Sequence, residues 1–164
     1  MQGTTINGYK FVSLLGQGGM AEVWEAVNNL NQKVAIKVLF ANFKSSDEIV
    51  QRFINEAKIM ANLNHSNIRK VLNIATLPDG RPCIIMEYLD GADLASRMKR
   101  GERFTDTQLE KWWNQLVSAL NYTHGNGIIH RDIKPSNIFI TNNGDVKLMD
   151  YGIAADSTSK CKIK

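Results

Sequence analysis

The chain is poor in cysteine, proline and long apolar runs. It has two cysteines, Cys83 in an apolar run and Cys161 in a polar C-terminal stretch, among 164 residues. Neither has a metal-ligand spacing, so a disulfide-stapled scaffold and a zinc cluster are both excluded, and a reducing compartment fits. No apolar run is long enough to span a membrane. The start, Met1 to Gly8, lacks the basic residues and apolar core of a signal peptide. There is no block of like charge to serve as a nucleic-acid arm, no internal repeat and no proline-rich linker. These absences predict a cytoplasmic protein, with no nucleic-acid partner and no membrane segment in this chain. What is present is a globular composition, 43% apolar and 22% charged, in a chain long enough for one core. The net charge of +4 is mild and compatible with an anionic ligand.

The first part reads as strands. Tyr9–Leu15 alternates loosely, Glu22–Val27 follows a glycine-rich turn, and Lys33–Phe40 is β-branched and apolar. Ser45-x-x-Glu48 has the form of a capping box, and Ile49, Phe53, Ala57 and Met60 recur at helical spacing to about Leu63. Arg69–Ala75 and Pro82–Tyr88 predict two strands around the turn Pro78-Asp79-Gly80. The second part reads as helices: Leu94–Arg100, then a long one opened by Thr105-x-x-Gln108 and running to His124. Leu109, Trp113, Leu116 and Leu120 predict its inner stripe, and Gly125 its stop. Ile138–Thr141 and Asp145–Leu148 predict a hairpin across Asn143-Gly144, read as a type I′ turn. That hairpin folds the chain back, so Asp150 returns to the neighbourhood of Asn137.

The chemistry concentrates in a few stretches. His130-Arg131-Asp132-Ile133-Lys134-Pro135-Ser136-Asn137 holds an acid, a lysine and a carboxamide at fixed offsets, and Asp150-Tyr151-Gly152 follows. This is the layout of a phosphoryl-transfer site, in which one Asp handles the acceptor hydroxyl while Asn and a second Asp hold metal ions. Gly16-Gln17-Gly18-Gly19-Met20-Ala21 lies between two predicted strands, where glycines let N–H groups approach phosphate oxygens. A tight hairpin would need glycine too. Val34-Ala35-Ile36-Lys37 puts a lysine inside an apolar strand, either snorkelling from a sheet edge or paired with an anion. Glu56 lies on the apolar stripe of its own helix, so the two are best explained as an ion pair.

Together these motifs resemble the protein Ser/Thr kinases, bacterial ones above all, over Tyr9 to about Ala155. The resemblance implies an α+β fold: a five-stranded antiparallel small lobe with one helix, then the first helices and catalytic-loop hairpin of the large lobe. It divides the chain into an N-terminal tail (1–8), a small lobe (9–89) and a partial large lobe (90–164). It implies ATP and Mg²⁺ as cofactors and a protein with Ser or Thr acceptors as substrate. Asp132 would accept the hydroxyl proton and Lys134 would neutralise the transferred phosphoryl group. Lys37 would contact phosphates with Glu56 orienting it, and Asn137 and Asp150 would bind the metal. Gly16, Gly18 and Gly19 would cover the phosphates. Val23, Ala35 and Phe139 would sandwich adenine, Glu87 and Leu89 would bond it through the backbone, and Asp93 would reach the ribose. Met86 would be the gatekeeper, His130 structural, and Arg131 a partner for an activation-loop phosphate. Ala21 stands where the pattern has its third glycine, and Tyr151 where it has Phe.

The chain ends at Lys164, before the family's activation segment and later large-lobe helices. The 164-residue fragment is therefore expected to be inactive itself, and a nucleotide-binding pseudokinase or interaction module is the alternative. Trp112 and Trp113 cannot both face one partner, so the long helix expects cover on two sides. The fragment should not stay a clean monomer, and the expected outcomes are self-association, segment exchange between copies or a disordered large-lobe remnant; light scattering that shows a clean monomer at high concentration would contradict this.

Overall fold

A computed structural model describes residues 1–129, 133–149 and 155–156 of the chain. They divide into two compact units. The first comprises Met1–Ala61 and Lys70–Tyr88; the second comprises Asn62–Arg69 and the chain from Leu89 onward.

The first unit is built on an antiparallel sheet of six strands in the order β1-β2-β3-β4-β6-β5. Its strands are β1 (Thr5–Ile6), β2 (Tyr9–Gln17), β3 (Ala21–Val27), β4 (Lys33–Leu39), β5 (Val71–Thr76) and β6 (Pro82–Glu87). The expected five strands gain a sixth, because residues read as a tail pair with β2 through Ile6↔Tyr9. The turn between them is Asn7-Gly8, both at positive φ (48° and 84°). That is the two-residue I′ geometry.

β4 is central, with β3 on one edge and β6 on the other. One sheet face buries Phe11, Ala26, Val34, Ile36, Val38, Cys83 and Ile85 in a single cluster. Burial pushes the Cys83 thiol up to about 11. The other face receives α1 (Asp47–Ala61), which buries Phe53, Ala57 and Met60 and packs on β5 and β6. Its cap is Ser46, not Ser45: the Ile49 N–H donates to Ser46 Oγ at 3.4 Å. The first helical residue is Asp47, so Glu48 sits one place too early to close a capping box.

In the second unit, β7 (Gly91–Asp93), β9 (Ile138–Thr141) and β10 (Val146–Leu148) form a sheet in the order β10-β9-β7. A two-stranded pair joins β8 (Ile128–Ile129) to β11 (Ala155–Asp156). The helices are α2 (Leu94–Lys99) and α3 (Asp106–Gly125), the latter opened by the predicted Thr105–Gln108 capping box. The predicted stop shifts: Gly125 is the last helical residue, and the glycine at positive φ is Gly127.

The predicted stripe of α3 is also rotated. Trp112, Ala119 and Thr123 are buried, whereas Leu109 is 46% and Trp113 64% exposed. The cause is polar. The Trp112 indole N–H donates to the Gly144 carbonyl at 3.0 Å. The Gln115 amide donates to Asp145 and accepts from the Val146 N–H, both at 2.9 Å. Those bonds, with small Ala119 where the helix comes close, fix which face meets the hairpin.

The β9–β10 connection is not the predicted I′ turn. Thr141 and Asp145 close a three-residue loop, with the Thr141 N–H on the Asp145 carbonyl at 2.9 Å and the Gly144 N–H on the Thr141 carbonyl at 2.8 Å. Gly144 alone takes positive φ (84°), and Asn143 does not.

One glycine in this unit is dictated by packing. Gly91 has φ 142°, and a Cβ there would lie 2.2 Å from the Ile140 carbonyl oxygen. Both the dihedral and the backbone clash oppose a side chain. Gly91→Ala is expected to destabilise the chain by about 3 kcal/mol, read as a fall in the urea midpoint.

Candidate active site

In the first unit the predicted residues gather on the α1 face of the sheet. Direct cross-strand partners share a face. Val23 is opposite Lys37, Ala35 is opposite Met86, and Gly16 is opposite Val23. Lys37 is therefore no edge lysine. It stands partly buried on a strand bonded along both edges, and its Nζ lies 5.9 Å from the centre of the Phe53 ring on α1. Glu56, three residues on, is partly buried along the same stripe. One sheet face thus carries Gly16, Val23, Ala35 and Lys37, and α1 brings Phe53 to the Lys37 ammonium with Glu56 along the same stripe.

The glycine turn behaves unlike Gly91. None of Gly16, Gly18 and Gly19 takes a positive φ. A Cβ would meet nothing within 4 Å at Gly16 or Gly19, and only the Ala21 carbonyl at 3.8 Å for Gly18. Packing within the chain does not demand glycine here. The turn is closed by the Gly18 N–H on the Ala21 carbonyl at 2.8 Å, and its surface is left open to a ligand.

At the end of β6, Glu87 is tied twice to Lys70. Its N–H donates to the Lys70 carbonyl at 2.9 Å, and its Oε2 accepts from the Lys70 N–H at 2.7 Å.

In the second unit, Asp93 and Phe139 are direct partners across β7 and β9. Leu89 is partly buried. The Asp93 carboxylate caps α2, accepting from the Ser96 N–H at 2.9 Å and the Ser96 hydroxyl at 2.6 Å. Lys134 is exposed and precedes a single 3₁₀ turn, Pro135–Asn137, whose last residue, Asn137, is 6% exposed. The Asn137 N–H donates to the Lys134 carbonyl at 2.9 Å, and its own carbonyl accepts from the Met149 N–H at 2.9 Å. The hairpin therefore returns the chain to Asn137 one residue before position 150. Asp132 and Asp150 themselves lie outside the described residues, as do His130, Arg131, Tyr151 and Cys161.

Asn67 was missed. It is buried, and its amide donates to the Val146 carbonyl at 2.9 Å. Its carbonyl accepts from the Leu148 N–H at 2.8 Å. His65, whose Nδ1 accepts from the Asn67 N–H at 3.0 Å, holds Asn67 in turn. The Arg69 N–H donates to the Leu148 carbonyl at 3.0 Å. These residues clamp β10 and so set where Met149 meets Asn137. The signal was a cluster of short polar residues, His65-Ser66-Asn67, ahead of an apolar one.

Residues 9–164 match the protein kinase domain. The chain belongs to the protein kinase family. Its fold is accordingly the α+β kinase fold, with the first unit as small lobe and the second as part of the large lobe. The chain is 40% identical over 158 residues to the serine/threonine-protein kinase PknA of Mycobacterium tuberculosis, covering 93% of this chain and 37% of that protein. It is 39% identical over 154 residues to a probable serine/threonine-protein kinase of Clostridium perfringens, covering 93% and 22%. It is 34% identical over 148 residues to the probable kinase PknB of Lactococcus lactis, covering 89% and 23%. The kinase domain described here thus spans well under half the length of the relatives it matches. Among the described residues no helix is long and apolar enough to cross a membrane.

Asn67→Ala would leave the buried Val146 carbonyl without its amide donor. It is expected to cost about 1–3 kcal/mol in chemical denaturation, with β10 amides losing hydrogen-exchange protection first.

Proposed function

We propose that this kinase domain transfers the γ-phosphoryl group of Mg²⁺-bound ATP to serine or threonine hydroxyls of a protein. The observation that carries the reading is the Met149–Asn137 backbone bond of 2.9 Å. It brings the chain to within one residue of Asp150 beside a buried carboxamide, in the turn that starts from exposed Lys134.

The residues present fit such a nucleotide. The glycine turn has open space where a Cβ would otherwise project, so backbone N–H groups can approach phosphate oxygens. A carboxamide and a carboxylate are hard oxygen donors, suited to Mg²⁺ with phosphates and water completing its shell. When bound, Mg·ATP supplies the electrophilic phosphorus and offsets the charge that develops on its oxygens.

In this reading Lys37 holds phosphate oxygens and Glu56 orients its ammonium. Val23, Ala35 and Phe139 present apolar surface to the adenine. The Glu87 N–H is already given to Lys70, so adenine recognition at Glu87 falls to its carbonyl and continues at the Leu89 backbone. Asp93 reaches the ribose only with its α2 cap intact, because both carboxylate oxygens already accept from Ser96. Asp132 takes the proton of the attacking hydroxyl. Lys134 offsets charge on the moving phosphoryl group, which favours Ser and Thr as acceptors. Catalysis then rests on positioning and electrostatics. A supply of ATP and a reduced, buried Cys83 agree with a cytoplasmic setting.

The test uses the longer protein of which this domain is part. Asp132→Asn should slow transfer by roughly 10²–10⁴-fold, with phosphoserine or phosphothreonine as the product of the unmodified enzyme. Phosphotyrosine alone would refute the acceptor class. Asp150→Asn should remove most of the Mg²⁺ dependence of nucleotide binding. Unimpaired, metal-independent binding without transfer would instead favour a nucleotide-binding pseudokinase.

A further inference from the structure

The second unit carries a cleft that the proposed transfer chemistry does not use. It lies between α2, the α2–α3 connection, the first turns of α3 and the tip of the β9–β10 hairpin, and encloses about 370 Å³. Arg97, Arg100, Glu102, Trp112, Thr141 and Asn142 are among the residues that line it.

Arg97 is fixed in the wall. Its guanidinium carbon lies 5.4 Å from the Phe104 ring centre and 5.6 Å from that of Trp112. The two rings meet edge to face at 5.1 Å. Arg97 Nε and Nη2 both donate to Glu102 Oε1, at 2.9 and 2.8 Å. Arg100 reaches Glu102 Oε2 at 2.9 Å, yet its side chain is 60% exposed. Two guanidinium groups therefore share one carboxylate. The hydrogen bond from Arg97, opposed by desolvation and followed by the Arg97 and Arg100 charges, holds Glu102 below the usual carboxylate range.

Two cations against one carboxylate leave the cluster a positive surplus. On the facing elements, Lys111 of α3 and Asp145 of the hairpin pair with each other at 3.3 Å and leave the sign unchanged. Exposed pairs of this kind add little stability. Packing accounts for Arg97, which is part-buried against the paired rings; it does not account for the exposed Arg100 beside it. A planar cation fixed in advance loses little freedom when it meets a carboxylate.

The geometry points to this cleft as a docking site for an acidic segment of a partner protein, with Arg100 as the main contact and Arg97 as the fixed second cation. Both cations line one pocket with Trp112 and Ile140 in its wall, which suits carboxylates flanked by apolar side chains. A nucleic-acid backbone would call for cations spread along a track. β9 links the cleft to Asn137 over about 16 Å of extended chain. If the kinase reading holds, a docked acceptor protein is thereby tethered near the transfer residues; the binding itself does not depend on that reading.

The test is fluorescence anisotropy with the whole chain and a fluorescein-labelled peptide of alternating glutamate and leucine, compared with its glutamine counterpart. The acidic peptide should bind at least about tenfold more tightly, and rising salt should weaken it. Arg100→Glu should abolish that preference while leaving the circular dichroism spectrum and the affinity for an ATP analogue unchanged, so failure here is separable from failure of the kinase reading. Lys10→Glu, which reverses an exposed cation in the other unit, should change nothing. Equal affinity for the two peptides would overturn the proposal. So would an unaffected Arg100→Glu variant, an equal loss in Lys10→Glu, or equal competition by a single-stranded oligodeoxynucleotide of matched charge.

Discussion

A lysine on a strand bonded along both edges is the constraint around which the first unit is organised. β4 gives its edges to β3 and β6, so no sheet edge remains where the Lys37 ammonium could escape to water. Its neighbours Ile36 and Val38 are fully buried on the opposite face. The charge must then be met on the α1 side, and that side is where α1 brings Phe53 and Glu56. An ammonium withdrawn from water without an anion costs several kcal/mol. The sheet order, the placement of α1 and the chemistry proposed for the unit thus share one cause.

The second unit solves a different problem, that of bringing together residues distant in sequence. It does so with backbone bonds. Asn67 holds β10 by side chain and main chain, Arg69 adds a third bond, and Met149 closes on Asn137. Main-chain carbonyls and N–H groups are indifferent to side-chain identity, so the path of the chain is secured whatever side chains lie along it.

Much of this was legible in the sequence because the residues carry their own geometry. β2 showed as a loose alternation, β4 as a β-branched run, β3, β5 and β6 by the turns beside them, α1 as a stripe through Phe53 and Met60, and the cap of α3 as Thr105 with Gln108. What escaped was decided by partners. Asn7-Gly8 and Asn143-Gly144 are the same dipeptide, yet only the first is a two-residue I′ turn. The second is absorbed into a three-residue loop whose tip is fixed by Trp112. The buried face of α3 was misread because hydrophobicity pointed to Leu109 and Trp113, whereas hydrogen bonds from Trp112 and Gln115 to the hairpin decided the rotation. Ser45 was singled out because Glu48 follows three residues later, but the helix starts one residue further along and Ser46 caps it. At the candidate site, Lys37, Glu56 and Asn137 were singled out by type and spacing. Asn67 was not, since its role is to hold another segment's backbone.

The rotation of α3 also gives the chain a built-in optical reporter. Its three tryptophans occupy three surroundings. Trp24 lies part-buried in the first unit with its indole on Glu22. In the second unit Trp112 is enclosed beside a guanidinium, and Trp113 faces water. Replacing Trp113 by phenylalanine removes the solvent-exposed emitter and leaves one indole in each unit. Intrinsic emission would then record the loosening of the two halves as separate signals, without an added dye.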